Sequence, residues 1–121
     1  MLKVDSLVLY VKDIDESYTF YSRVFEEEGR YLSPTFVAFP LDIPVALKQI
    51  DTASSKPDTS GGGTELSFKV NETSALMRIY EQWKSKGVSF LQEPTELCFG
   101  DTFVAIDPDF HRIRVSKLNI E

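Results

Sequence analysis

The chain has 121 residues, a length that suits one domain with a single hydrophobic core. Its hydrophobic fraction of 42% argues against intrinsic disorder, and no apolar run is long enough to span a membrane. The net charge of −6 argues against nucleic acid as a partner, and it either favours a cationic ligand through long-range attraction or serves solubility alone. The N-terminal residues lack the pattern of a signal peptide, so a cytoplasmic location is expected.

The first half of the chain begins with a strand and a helix. Alternating apolar residues predict a strand over Val4–Val11. Asp13, with Glu16 three residues later, has the spacing of a capping box, and the apolar stripe that follows predicts a helix to about Glu27. Gly29 is expected to end this helix. Strand-like segments then follow at Tyr31-Leu32, Phe36–Phe39 and Val45–Ile50.

The second half begins after a segment without periodicity. Residues 51–63 are rich in Ser, Thr and Gly, which predicts a mobile linker or lid. A strand is predicted from Thr64 to Val70 and a helix from about Thr73 to Lys86, with Gly87 as its stop. The remaining predictions are strands at Val88–Leu91, Asp101–Ile106 and Arg112–Leu118, with a loop at Gln92–Gly100.

The two halves repeat one pattern. Four apolar pairs are each 59 residues apart: Leu9 with Phe68, Val11 with Val70, Phe20 with Ile79, and Tyr21 with Tyr80. Phe36–Phe39 matches Phe103–Ile106 at an offset of 67 residues. Such a repeat predicts an α+β fold of two βαβββ modules within one domain of residues 1–121: module one over about 1–50, a linker over about 51–63 and module two over about 64–121. Each mixed sheet would carry a helix on its outer face, and the bare faces would form a cup.

Alternation along the strands predicts which side chains line the cup. The side chains expected to pack under the helices are Leu7, Leu9, Leu66, Phe68, Ile113 and Val115. Those expected to face the cup are Ser6, Val8, Tyr10, Phe36, Ala38, Lys48, Glu65, Ser67, Lys69, Phe103, Ala105, Arg112 and Arg114. Aromatic rings mixed with a few charges indicate a small-molecule pocket. The alternative is the solvent-facing side of a half-covered sheet.

Three segments resemble the vicinal-oxygen-chelate superfamily, which includes glyoxalase, extradiol dioxygenases and bleomycin-resistance proteins. They are Val4–Asp13 followed by Phe20-Tyr21, then Glu65–Val70, and finally Phe103–Asp109 followed by Ile113–Val115. The resemblance covers nearly the whole chain. It implies paired βαβββ modules, assembled as a homodimer in which the partner completes each cup. Membrane and nucleic-acid partners are not expected.

The resemblance also implies which positions would hold the metal ion in an enzyme of this family. The metal enzymes of the family carry His, Gln or Glu at inward positions that correspond here to Ser6, Glu65, Arg114 and a residue near Lys48. A transition metal needs three or four His, Cys or carboxylate ligands, and the permanent charge of Arg114 opposes a cation. His111, the only histidine, belongs to a turn. The chain is therefore predicted to hold no metal at this site and no other cofactor.

Glu65 and Arg114 leave three interpretations open. They could form an ion pair across the cup, bind a zwitterionic or hydrogen-bonding ligand, or act as general base and oxyanion stabiliser. Glu65 is the best catalytic candidate, but the lost metal ligands favour a binding protein over an enzyme.

The resulting hypothesis is a metal-free protein that, like the bleomycin-resistance proteins, binds an aromatic or cationic ligand such as an antibiotic. Its predicted ligand-binding residues are Ser6, Tyr10, Phe36, Ala38, Lys48, Glu65, Ser67, Phe103, Arg112 and Arg114. The first alternative is a lyase, isomerase or dioxygenase-like enzyme that uses Glu65 or an atypical metal site. The second is a regulatory or interaction domain with a collapsed cup.

One turn departs from the pattern of the family. The turn that begins at Asp107 usually reads Asp-Pro-Asp-Gly in the family, and here Phe110 replaces the glycine. If the backbone needs a positive φ, Phe110 stores about 1 kcal/mol of strain. Either the turn is remodelled or Phe110 packs against another surface.

Overall fold

The computed structural model describes residues 2–58 and 60–119, which divide into two compact units, residues 1–61 and 62–121. The boundary lies inside the segment predicted as a linker, of which Thr59 lies outside the described residues. No helix of the described part is long and apolar enough to cross a membrane. The predicted homodimer and cytoplasmic location stay predictions.

The first unit contains one helix and one four-stranded sheet. Its elements are β1 (Leu7–Val11), α1 (Ile14–Phe25), β2 (Arg30–Ser33), β3 (Phe36–Phe39), β4 (Val45–Gln49) and a short 3₁₀ helix (Ile50–Thr52). The strand order is β1-β4-β3-β2, in which β1 and β4 are parallel and the other neighbours are antiparallel.

The second unit repeats this topology. Its elements are β5 (Glu65–Val70), α2 (Thr73–Ser85), β6 (Ser89–Leu97), β7 (Gly100–Ile106) and β8 (Arg112–Leu118). The strand order is β5-β8-β7-β6, again with a parallel first pair, β5 and β8, and antiparallel neighbours beyond it. The predicted α+β fold of two βαβββ modules is confirmed.

Helix α1 begins where the capping box predicted and ends earlier than expected. The Asp13 carboxylate accepts hydrogen bonds from the backbone N–H groups of Asp15 and Glu16, each at 3.1 Å. The helix ends because Glu26 adopts a left-handed conformation with φ of 53°, so the prediction that Gly29 ends it is wrong. Gly29 has a packing role, since a Cβ there would lie 2.8 Å from the Phe39 ring.

Each sheet packs one face against its own helix. In the first unit the fully buried Tyr21 and Phe39 rings lie 6.3 Å apart, and Phe25 meets Phe39 edge-on at 5.6 Å. In the second unit the rings that surround the fully buried Phe103 are Tyr80 at 5.7 Å, Trp83 at 5.5 Å and Phe90 at 5.6 Å. We call the opposite face of each sheet its far face.

The predicted orientation of Phe103 and Ala105 is wrong. Phe103 pairs with Val115, and Ala105 pairs with Ile113, so both side chains lie on the helix side of the second sheet. The offset of 67 residues matched Phe103 to Phe36, whereas the strand register makes Val37 the equivalent of Phe103. The alternating side chains of β7 were therefore assigned to the wrong faces of the sheet. The side chains of β7 on the far face are Thr102, Val104 and Ile106.

The predicted loop over Gln92–Gly100 is also wrong for most of its length. Strand β6 extends to Leu97 and pairs with β7, with register shifts on both sides of Gln92. Pro94 is tolerated because β6 is the edge strand of its sheet and the irregular pairing needs no N–H there.

Candidate functional site

A row of three side chains crosses the far face of the first sheet. Lys48 on β4 pairs with Tyr10 on β1 and with Phe36 on β3, so two aromatic residues flank one lysine. They line a pocket of about 300 Å³, together with Val8, Ala53, Ser54 and Ser55. The sequence placed Tyr10, Phe36 and Lys48 on this face, and the register agrees.

Hydrogen bonds hold the edges of this pocket. Lys48 Nζ donates to the Thr35 hydroxyl at 3.1 Å, which draws the ammonium group toward the start of β3. The Ser60 hydroxyl donates to the backbone carbonyl of Tyr10, so the chain that follows the 3₁₀ helix returns to β1. The segment that was predicted as a linker or lid therefore contributes the pocket rim through Ala53, Ser54 and Ser55.

The far face of the second sheet carries a charged cluster, which we call the arginine cluster: Glu65, Arg112 and Arg114. Arg112 Nε donates to one oxygen of Glu65 at 3.2 Å, and Arg114 Nε donates to the other at 3.1 Å. Of the three interpretations left open by the sequence, the ion pair is present, although its members lie on the neighbouring strands β5 and β8.

The arginines change the chemistry of Glu65. Burial alone would raise its pKa, but the hydrogen bonds and charges of Arg114 and Arg112 outweigh burial and hold the pKa below the usual 4.5. Glu65 is therefore ionised at neutral pH, and its two oxygens already accept hydrogen bonds from guanidinium groups. A carboxylate in this state is a weak general base.

Sequence reasoning missed two side chains that contact Arg114, Thr102 and Phe99, and the Ser116 hydroxyl beside Thr102. Arg114 Nη1 donates to the hydroxyl of the fully buried Thr102 at 3.0 Å, and that hydroxyl lies 2.8 Å from the Ser116 hydroxyl. The Phe99 ring lies 6.0 Å from the Arg114 guanidinium carbon, within the range of a cation–π contact. Thr102 was missed through the parity error in β7.

The other predicted site residues belong neither to the pocket of the first sheet nor to the arginine cluster. Ser6 directly precedes β1 and is half-buried. Ala38 and Ser67 lie on the far faces of their sheets, paired with Ala46 and Arg114. Arg114 was matched to Lys48 in sequence, but the register makes Ala46 the position equivalent to Arg114.

The residues do not fit the metal that the resemblance implies for enzymes of this fold. Among residues 2–58 and 60–119 no three His, Cys, Asp or Glu side chains converge in a way that could hold an ion. The only carboxylate at a matching position, Glu65, is neutralised by two arginines. His111 is buried, with Nδ1 2.7 Å from a carboxylate oxygen of Asp107 in the same turn.

Comparison with known proteins agrees with the observed fold and with the sequence segments that indicated the family. The family model of the glyoxalase/bleomycin resistance protein/dioxygenase superfamily matches residues 3–115. The chain therefore belongs to this superfamily, and the resemblance noted in the sequence is confirmed.

Several relatives can be compared directly. The phenazine antibiotic resistance protein EhpR of Enterobacter agglomerans is 29% identical over 116 residues, which cover 93% of this chain and 89% of EhpR. A protein of Agrobacterium tumefaciens, solved by solution NMR, has 36% identity and a TM-score of 0.86, with 98% of each chain covered. A glyoxalase-related enzyme of Fulvimarina pelagi has 18% identity and a TM-score of 0.83, with 96% of this chain and 88% of that chain covered, and it shows the shared fold alone.

Proposed function

We propose that this chain is a metal-free binding protein that holds a small planar aromatic molecule, of the phenazine class, in the pocket on the far face of the first sheet. The observation that carries the proposal is the row Tyr10–Lys48–Phe36 across three adjacent strands, which lines a pocket of about 300 Å³. Pockets with aromatic walls and a few polar groups are typical sites for small molecules.

The strand spacing suits a flat ring. Neighbouring strands lie about 4.8 Å apart, so the backbones at Tyr10 and Phe36 are separated by about 10 Å, with β4 between them. A ring inserted between two others needs about 7–8 Å in total for contact on both of its faces. The two aromatic side chains can therefore stack on a planar ligand, while the Lys48 stem forms the floor.

The polar groups favour an aromatic ligand that accepts hydrogen bonds. Lys48 contributes a positive charge to the pocket, so a cationic ligand, the other class considered from the sequence, is disfavoured there. Lys48, Ser54 and Ser55 can donate to acceptors at the edge of a ring. Phenazine has two ring nitrogens that accept hydrogen bonds, and the name of the relative EhpR supports this compound class.

Catalysis by Glu65 has weaker support than binding. The two arginines lower the pKa of Glu65 and occupy both of its oxygens, which opposes a role as general base. These observations support a protein that binds its ligand without transforming it.

The proposal predicts that replacing Tyr10 with leucine weakens phenazine binding. Tyr10→Leu keeps apolar volume but removes the flat ring, and loss of a stacking contact worth about 0.5–1.5 kcal/mol weakens binding about two- to twelvefold. Isothermal titration calorimetry with phenazine measures the dissociation constant of the wild type and the variant.

The matched control is Phe110→Leu, because Phe110 is exposed and lies in the other unit. This variant should bind phenazine as the wild type does. The proposal is wrong if phenazine does not bind the wild type, or if Tyr10→Leu and Phe110→Leu bind it equally well.

A further inference from the structure

We propose that the arginine cluster on the far face of the second sheet is a binding site for a carboxylate group. This inference stands apart from the phenazine proposal, because its residues belong to the second unit and recognise charge rather than a flat ring.

The guanidinium groups retain donors that no protein group uses. Glu65 engages the Nε–H of both arginines, and Thr102 accepts one bond from Arg114 Nη1. Within the described ranges, both Nη groups of Arg112 lack a hydrogen-bond partner, and so does Nη2 of Arg114. An arginine can present its two Nη groups to both oxygens of a carboxylate at once.

The cluster is held in place before any ligand arrives. Glu65 bridges the two arginines, whose side chains retain only 38% and 19% exposure. The buried Thr102 hydroxyl, which lies close to the Ser116 hydroxyl, accepts a hydrogen bond from Arg114. The Phe99 ring also contacts the Arg114 guanidinium group. Because ordering a long side chain costs entropy, an arginine that is already ordered binds an anion more tightly.

The charge of this face is opposite to that of the chain. Two arginines and one glutamate leave one positive charge in the cluster, and Lys69 lies on the same face of β5, whereas the whole chain carries −6. One uncompensated positive charge matches a monoanion such as a carboxylate better than a phosphate dianion. A cation would be repelled.

The test compares benzoate with benzamide, its neutral analogue of the same shape, in titrations of the full chain followed by NMR. The side-chain Nε–Hε signals of Arg112 and Arg114 report on the cluster itself. We expect benzoate to shift both signals in a saturable manner and benzamide to leave them unchanged. Arg114→Gln should weaken the effect of benzoate on Arg112 about tenfold, because a charge-assisted pair is lost.

Arg78→Gln on α2 is the matched control, since it removes the same charge from an exposed helix position and should bind benzoate as the wild type does. Arg112→Gln serves as a second variant if Arg114→Gln fails to fold. The proposal is overturned if benzamide shifts the arginine signals as benzoate does, if the cluster variants bind like Arg78→Gln, or if inorganic phosphate alone shifts them. Since phenazine binding is read from calorimetry and Tyr10→Leu, either proposal can fail while the other holds.

Discussion

At the scale of single residues, Phe110 shows how a turn can be kept with an unfavourable side chain. Its φ is 69°, so the turn has not been remodelled and keeps the left-handed backbone that glycine adopts easily. The Asp107 carboxylate accepts hydrogen bonds from the N–H groups of Asp109 at 2.9 Å and His111 at 2.8 Å, which holds the turn. The Phe110 side chain is 64% exposed, so packing within the chain compensates little of the strain.

Replacing Phe110 with glycine should therefore stabilise the chain. The left-handed conformation costs a non-glycine residue about 1–2 kcal/mol, and the extra freedom of glycine in the unfolded state offsets about 0.5–1 kcal/mol of that gain. We expect the free energy of unfolding of Phe110→Gly, measured by urea denaturation, to rise by about 0.5–1 kcal/mol.

Phe110→Ala is the control for this prediction, because it removes the ring but keeps a Cβ at the positive φ. It should show no gain in stability. Equal stability of the glycine and alanine variants would contradict the strain assigned to this turn.

At the scale of secondary structure, α1 shows how a short sequence signal determines the start of an element. The side chain of Asp13 satisfies two N–H groups that have no acceptor inside the helix. The carboxylate also interacts favourably with the positive end of the helix dipole. Both effects are local, which is why the spacing of Asp13 and Glu16 predicted this helix start correctly.

Loss of this cap should destabilise the chain. Asp13→Ala is expected to lower the free energy of unfolding by about 1 kcal/mol, because two N–H groups at the helix start lose their acceptor. Asp13→Asn retains an accepting oxygen and should cost much less. Urea denaturation measures both variants, and an asparagine variant as unstable as the alanine variant would show that charge, not capping, is the main contribution.

Elements whose position depends on distant partners were predicted less well. Strand β7 contains Phe103-Val104-Ala105, which is apolar on both faces, so alternation alone does not determine its parity. Strand β6 contains Pro94 and pairs irregularly with β7. Because β6 is a strand only through this pairing, its own sequence does not predict it. By contrast β5 and β8 alternate clearly between polar and apolar residues, and they provide Glu65 and Arg114.

For the candidate sites, sequence reasoning therefore oriented Glu65 and Arg114 from clear alternation, and it missed side chains whose position depends on register. It placed Tyr10, Phe36 and Lys48 on the face that the structure shows, and it gave an ion pair as one of three interpretations for Glu65 and Arg114. The roles of Thr102 and Ser116 follow from the β7–β8 pairing, and the contribution of the 3₁₀ helix region to the pocket rim has no periodic signal.

At the scale of the whole molecule, one topology occurs twice with different chemistry on the two far faces. The row Tyr10–Lys48–Phe36 of the first sheet corresponds to Lys69–Ser116–Thr102 of the second, and Val8–Ala46–Ala38 corresponds to Ser67–Arg114–Val104. The first face is largely apolar and aromatic, whereas the second is polar and cationic. The shared fold supplies the framework, and the side chains on each far face determine what it can bind.

One combined measurement tests the proposal that this chain binds a planar aromatic ligand without a metal. Elemental analysis of protein purified without a metal-binding tag is followed by calorimetric titration with phenazine, before and after treatment with a chelator. We predict less than stoichiometric transition metal and the same dissociation constant in both titrations, because the proposed contacts come from Tyr10, Lys48 and Phe36, which line the pocket. A stoichiometric metal whose removal abolishes phenazine binding would contradict the account.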